Sequence, residues 1–164
     1  MARHLQRELQ QRKPFATSQE ELVLNILRTA DVLQQALERA LHPAGLSGTQ
    51  YNVLRILRGA GARGLCCREV GERMLTHDPD VTRLLDRLEG RGLVVRRRDQ
   101  RDRRILTARL TPEGMTLLAA LDAPIAQLHT RLLGHLRPER QAALLDLLEA
   151  ARGGAVTSDE QEEL

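Results

Sequence analysis

Aromatic residues are almost absent from this chain: Phe15 and Tyr51 are the only two among 164 residues, and there is no tryptophan. The core therefore has to be Leu, Val, Ile and Ala, a composition that suits packed helices. Lysine is nearly missing too, Lys13 being the single one, so positive charge is carried by arginine. The only cysteines, Cys66 and Cys67, are adjacent and cannot form a disulfide framework. No run approaches the roughly 18 apolar residues of a membrane span. The N-terminus carries Arg3, Arg7 and Arg12 and no long apolar stretch, which excludes a secretory signal and sets a cytoplasmic expectation. Gly59, Gly61 and Gly64 lack the Lys-Ser or Lys-Thr ending of a phosphate loop, and no Ser-His-Asp set can be assembled. His77, Asp78 and Asp80 resemble metal ligands only superficially, because no Cys or second His lies at ligand spacing. The expectation is a non-enzyme without metal or cofactor.

What is present is an uneven charge distribution. Net charge is only +3. Yet from Arg55 to Arg109 fifteen arginines stand against eight acidic residues, whereas Val156 to Leu164 holds Asp159, Glu160, Glu162 and Glu163 and no base. A general preference for Arg explains the residue type but not this clustering. A basic middle suits a polyanion such as nucleic acid.

Along the chain, residues 1–16 read as a polar arm with one weak helical turn at Leu5 and Leu9, ended by Pro14. Thr17 and Ser18 stand three residues before Glu20 and Glu21, a capping box. Leu22, Ile26, Ala30, Leu33, Leu37 and Leu41 then line one helix face up to Pro43 and Gly45. Ser47 and Gln50 start a second helix, with Leu46 and Tyr51 as a hydrophobic staple and Val53, Leu54 and Leu57 inward. A short helix follows Cys66, with Glu69 three residues on and Val70 and Met74 inward. Asp78 as cap and Pro79 as first residue begin another, which buries Val81, Leu84, Leu85 and Leu88 and ends at Gly90 or Gly92. Leu93 to Arg98 and Ile105 to Leu110 read as strands around a charged tip, Asp99 to Arg104. Thr111-Pro112-Glu113 caps a long helix through Met115, Leu118, Leu121, Ile125, Leu128 and Leu132. A last helix starts at Pro138, carries Leu144, Leu147 and Leu148, and stops at Gly153-Gly154. The fold class is mainly α with a small β-hairpin: a winged helix-turn-helix, residues 46–111, within helical flanks 17–45 and 112–153 and an acidic tail 154–164. In that plan the second short helix enters the major groove and the hairpin reaches the backbone or minor groove.

The run from Val81 to Val94, the wing Asp102-Arg103-Arg104 and the close Leu110-Thr111-Pro112-Glu113-Gly114 resemble the MarR (multiple antibiotic resistance regulator) family, in order and at family spacing. The motif region covers residues 46 to 114. The resemblance implies a two-fold dimer built by the first and last helices, and a pseudo-palindromic promoter site. It also implies a repressor released by small aromatic or phenolic ligands, or by thiol oxidation. The chain departs from the pattern at Cys66, where relatives often carry Ser or Thr, and at Asp78 and Asp80, where the recognition helix often begins with Ser or Gln. Asp78 is read as a cap; Asp80 is left open, with a cytosine amino group as the partner it could accept from.

Within this frame Thr82, Arg83 and Arg87 are DNA contacts rather than merely a solvated face, and Arg83 is the candidate for a guanine edge. Arg68, Arg96 and Arg98 are phosphate contacts or surface charges. Arg104 matches the wing arginine, with Arg101 and Arg103 as its neighbours, and Asp102 is read as its buttress. Cys66 and Cys67 either fill a helix start or sense oxidants, since a thiol at a helix N-terminus reacts more readily. The reading is a sequence-specific regulator of double-stranded DNA acting as a homodimer, with a winged-helix protein-interaction module as the alternative. A ligand pocket is expected between the helical layer and the winged domain.

Overall fold

The computed structural model describes residues 4–76, 80–98 and 104–162, and side chains as far as residue 154. Helix α1 (His4–Glu8) buries Leu5, so the weak turn at Leu5 is real. Helix α2 (Ser18–Leu41) begins where the capping pattern places it: Thr17 Oγ1 accepts the Glu20 N–H at 3.1 Å, and Glu20 reaches back to the Ala16 N–H at 2.7 Å. Its apolar stripe is only partly covered. Ala36 and Leu41 are buried, whereas Leu22 and Ile26 are 62% and 41% exposed.

After one 3-10 turn and Gly45 at φ 64°, helix α3 (Gly48–Ala60) starts with the full Ser47–Gln50 capping box and buries Tyr51, Val53, Leu54 and Leu57. A two-residue strand β1 (Leu65–Cys66) precedes the short helix α4 (Cys67–Gly71), and then comes helix α5 (Val81–Gly90). Strands β2 (Val94–Arg98) and β3 (Leu106–Leu110) form the hairpin, in register from Val94↔Leu110 to Arg98↔Leu106. The sheet is three-stranded, in the order β1-β3-β2, because Leu65 pairs with Ala108 and Cys66 with Thr107. Sequence reading missed β1, since two residues display no period. Gly64 makes the pairing possible: it has φ 69°, and a Cβ there would lie 2.6 Å from the Ala108 carbonyl oxygen.

Both hairpin strands start one residue later than expected. The Leu93 N–H bonds to the Leu88 carbonyl, so Leu93 closes the turn after α5, while its carbonyl accepts the Thr111 N–H at the end of the ladder. Ile105 lies outside β3. Helix α6 (Pro112–Leu133) is capped by Thr111, whose Oγ1 accepts the Gly114 N–H at 3.1 Å and donates to the Gly92 carbonyl at 2.7 Å. It buries Leu118, Leu121, Ile125 and Leu128, while Met115 is exposed.

The chain divides into two compact units, residues 1–125 and 126–164. The second contains the end of α6 and helix α7 (Pro138–Glu162), joined by a turn in which Gln141 Nε2 donates to the Leu136 carbonyl at 2.8 Å. The expected stop at Gly153-Gly154 does not occur. A glycine ends a helix by entering the left-handed region, and neither of these has positive φ, so each costs the helix only about 1 kcal/mol relative to Ala. Among the described residues no helix is long and apolar enough to cross a membrane.

Candidate nucleic-acid interface

The helix-turn-helix is α4 and α5, held against α3 and β1. Cys66 occupies the N-cap of α4, and its backbone N–H is bound by the Glu69 carboxylate at 2.9 Å. That bond, helped by Arg63 at 2.8 Å, holds the Glu69 carboxyl below the usual range against the opposing cost of desolvation. Asn52 on α3 accepts the Leu75 N–H at 3.0 Å and so fixes the start of the connection to α5.

Helix α5 begins one cap later than the sequence suggested. Its N-cap is Asp80, whose Oδ1 accepts the Arg83 N–H at 3.0 Å; Asp78 and Pro79 lie outside the described residues. The reason is local: Asp80 sits directly before the first residue with helical geometry, so its carboxylate reaches the orphan N–H three residues on. Its other oxygen stands 3.2 Å from Arg83 Nε. Asp80 is therefore engaged within its own helix, as N-cap and as ion-pair partner of Arg83.

Leu84, Leu85 and Leu88 are buried, which turns Thr82, Arg83 and Arg87 to the opposite, exposed side of α5. These three sequence-predicted residues are brought together on one face. Arg98 and Arg104 are exposed at the ends of the hairpin strands, and Arg68 projects from α4 beside Glu72 at 3.7 Å. Arg101, Asp102 and Arg103 lie outside the described residues. Cys66 and Cys67 are half-buried free thiols. Among the described residues no cluster of three His, Cys, Asp or Glu is placed to hold a metal ion.

Two arginines have roles that sequence reading did not assign. Arg96, read as a phosphate contact or surface charge, is only 20% exposed at its side chain and faces protein. It bonds Glu89 through Nε at 2.8 Å and Asp86 through a terminal nitrogen at 2.6 Å, while its backbone N–H bonds Glu89 at 2.9 Å. The Arg96 bonds hold the Glu89 carboxyl below its usual range, and the same bonds raise Arg96. A signal existed: strand alternation puts Arg96 on the side of buried Val94. Arg91, at the end of α5, donates to the Gly45 and Ala44 carbonyls at 2.6 and 2.9 Å and ties α5 to the turn after α2.

A cleft of about 400 Å³ opens beside α3, β3 and the first turn of α6, lined by Leu57, Arg58, Arg109, Leu110 and Met115 among others. Arg58 is committed there to a two-pronged pair with Asp122, both bonds at 2.9 Å. These bonds lower the Asp122 carboxyl and raise Arg58.

The family model described as MarR family matches residues 44–105, the segment that contains this interface. A MarR transcription factor of known structure from Planctomyces limnophilus is 37% identical, covering 84% of this chain and 99% of that one, with a TM-score of 0.64. The chain belongs to the MarR family. Other MarR-like structures superpose closely. A mutant of the Escherichia coli MarR protein complexed with operator DNA is 26% identical over 80% of this chain and 93% of that chain, TM-score 0.73. CouR from Rhodococcus jostii, bound to p-coumaroyl-CoA, is 28% identical over 84% of this chain and 95% of that chain, TM-score 0.71. The chain is thus a MarR-family transcriptional regulator, and the winged helix-turn-helix is the observed architecture.

Proposed function

We propose that this MarR-family chain is a homodimeric repressor that binds a pseudo-palindromic operator in double-stranded DNA. Helix α5 lies in the major groove with Thr82, Arg83 and Arg87 toward the bases, and Arg83 bonds a guanine edge. Arg68 meets the phosphate backbone. The wing, with Arg98, Arg101, Arg103 and Arg104 and with Asp102 as a buttress, enters the flanking minor groove. The observation that carries this reading is the face of α5: three contact-capable side chains stand exposed, directly opposite three buried leucines. The E. coli relative complexed with operator DNA supports duplex DNA as the ligand.

The dimer is supported by apolar surface left open on each unit. Leu22, Val23, Ile26, Leu27 and Val32 on α2 are 41–62% exposed, and Leu144, Leu145 and Leu147 on α7 are 38–68% exposed. A second copy that covers these faces also supplies the two-fold symmetry of a palindromic site. The helical flanks 17–45 and 112–153 then serve as the dimerisation layer around the reader 46–111. Release follows from an aromatic or phenolic effector, a class supported by the p-coumaroyl-CoA held by CouR. Cys66 and Cys67, at the junction of β1 and α4, are the sites through which an oxidant would act.

The test is selection of bound fragments from the source genome with the purified protein, followed by titration of salt. The proposal expects recovery of related pseudo-palindromic fragments and affinity that falls steeply with salt. Absence of duplex binding at low salt would overturn it and favour a protein-interaction module. Unchanged oxidant response in Cys66→Ser and Cys67→Ser would remove the thiols from the mechanism.

A further inference from the structure

We propose that Arg96 is a positioning residue that locks the wing to the recognition helix, so that groove reading and flank reading occur in one fixed register. The proposal rests on the DNA-binding reading above and adds a residue that touches no DNA.

The geometry is that of a two-point clamp. Asp86 and Glu89 stand three residues apart on α5, on one edge of the helix. Arg96 reaches both from β2, with separations of 2.6 Å to Asp86 and 2.6 and 2.8 Å to Glu89. The backbone N–H of Arg96 adds a fourth bond, to Glu89 at 2.9 Å. Side chain and main chain of one strand residue are thus tied to one turn of one helix. The planar guanidinium makes the tie directional, which a flexible ammonium would not. At the other end β2 is held to β3 by the ladder, from Val94↔Leu110 to Arg98↔Leu106, so the clamp sets the direction of the whole hairpin.

Its position relative to the reading face matters. Asp86 is three residues from Arg83 and four from Thr82, so the clamp begins one helical turn from the residues assigned to the bases. It also disposes of two carboxylates that would otherwise oppose phosphate. With these bonds made, Arg96 is not a phosphate contact: Nε and one terminal nitrogen are bonded to carboxylates of α5 and its side chain is largely covered.

Hydrogen exchange in the free protein and DNA binding together test this, using Arg96→Met and Arg96→Lys. The DNA probes are a duplex recovered in the genomic selection and a random-sequence duplex of equal length. In Arg96→Met, β2 amides should exchange faster while those of α3 keep their protection. Affinity for the selected duplex should fall at least about tenfold, affinity for the random duplex by less than about twofold, and the salt slope should not change. Repeat selection should retain the major-groove bases and lose preference at the flanks. Arg96→Lys restores charge without the fork and should remain impaired at the flanks. A uniform loss on both duplexes with the salt slope reduced by about one identifies a phosphate contact and overturns the proposal. Full recovery in Arg96→Lys reduces the residue to a counter-charge, and equal loss of protection in α3 and β2 reduces it to global stability; either result overturns it. If no duplex binds at all, the DNA reading fails first, and unchanged β2 exchange in Arg96→Met then refutes the clamp independently.

Discussion

Gly114 tests how tightly the wing is joined to α6. It is the third residue of α6, and its N–H is bound by the cap Thr111. A Cβ built there would stand 2.3 Å from the Leu93 carbonyl oxygen and 3.0 Å from Leu110 Cδ2. The first neighbour is backbone, and that oxygen already accepts the Thr111 N–H at 3.1 Å. Gly114→Ala must therefore push the first turn of α6 away from the start of the hairpin. Relief of such overpacking costs about 1–3 kcal/mol, and loss of the Thr111–Leu93 bond about 1 kcal/mol more. Ala is the better helix former by about 1 kcal/mol, which offsets part of this. The net expectation is destabilisation by about 1–3 kcal/mol.

Gly59 supplies the control. It lies within α3 with nothing inside 4 Å of the added Cβ, so Gly59→Ala should stabilise by about 0.5–1 kcal/mol. One chemical change is thus expected to have opposite signs at two helical positions. Urea unfolding at a single protein concentration is the appropriate assay, because association shifts apparent stability. A Gly114→Ala protein as stable as the parent refutes the close contact between α6 and Leu93. A destabilised Gly59→Ala protein refutes the assignment of open space at that site.

Three further outcomes are expected. Glu69, Glu89 and Asp122 are all held below their usual values by hydrogen bonds, so their folded forms bind fewer protons than the unfolded chain. Their stabilisation is complete above the ordinary carboxylate range and is lost as pH falls through the lowered values, that is, from about pH 4 downward. Urea midpoints at pH 3.5 and 7 should differ less in Glu69→Gln than in the parent. Ile26→Glu places a charge in the open stripe of α2 and should shift sedimentation at low micromolar concentration from the mass of the proposed dimer to that of a monomer, while helical circular dichroism is retained. Asp80→Asn keeps a good cap but removes a negative charge beside Arg83; random-sequence duplex should bind more tightly, and discrimination at the base read by Arg83 should weaken. Tighter binding with unchanged discrimination would limit Asp80 to capping.

The features legible in the sequence were those written in local chemistry. Ser47 with Gln50, Thr17 with Glu20 and Thr111 ahead of Pro112 each mark a helix start, because a cap needs only neighbours three residues apart. The leucines of α5 announced its buried side by helical period, and hence the exposure of Thr82, Arg83 and Arg87. What stayed hidden depends on distant partners. Strand β1 exists because residues 65 and 66 meet 108 and 107 across some forty residues. Asp78 was read as the cap by type, and the N-cap of α5 at Asp80 shows only where the backbone turns helical at Val81. Alternation separates Arg96 from Arg97 but not from Arg98, and only its partners on α5, seven and ten residues earlier, mark it out.

This distinction also changes how the basic middle segment should be understood. Fifteen arginines against eight acids suggests a diffuse positive surface, yet part of that charge is consumed internally. Arg58 is paired with Asp122, Arg63 with Glu69, Arg91 with two carbonyls, and Arg96 with Asp86 and Glu89. The carboxylates are used as well: Asp80 caps α5, and Asp86 and Glu89 are turned to β2. A field that depended only on the sum of charges would tolerate exchange of any one arginine for another. An arrangement in which some arginines orient the reading helix and others remain on its exposed face does not. The loss from removing Arg91 or Arg96 should therefore appear in sequence discrimination, whereas loss of a phosphate-contacting arginine should appear in the salt slope. These are separate observables, and they divide the basic segment by role where the sequence shows only one residue type.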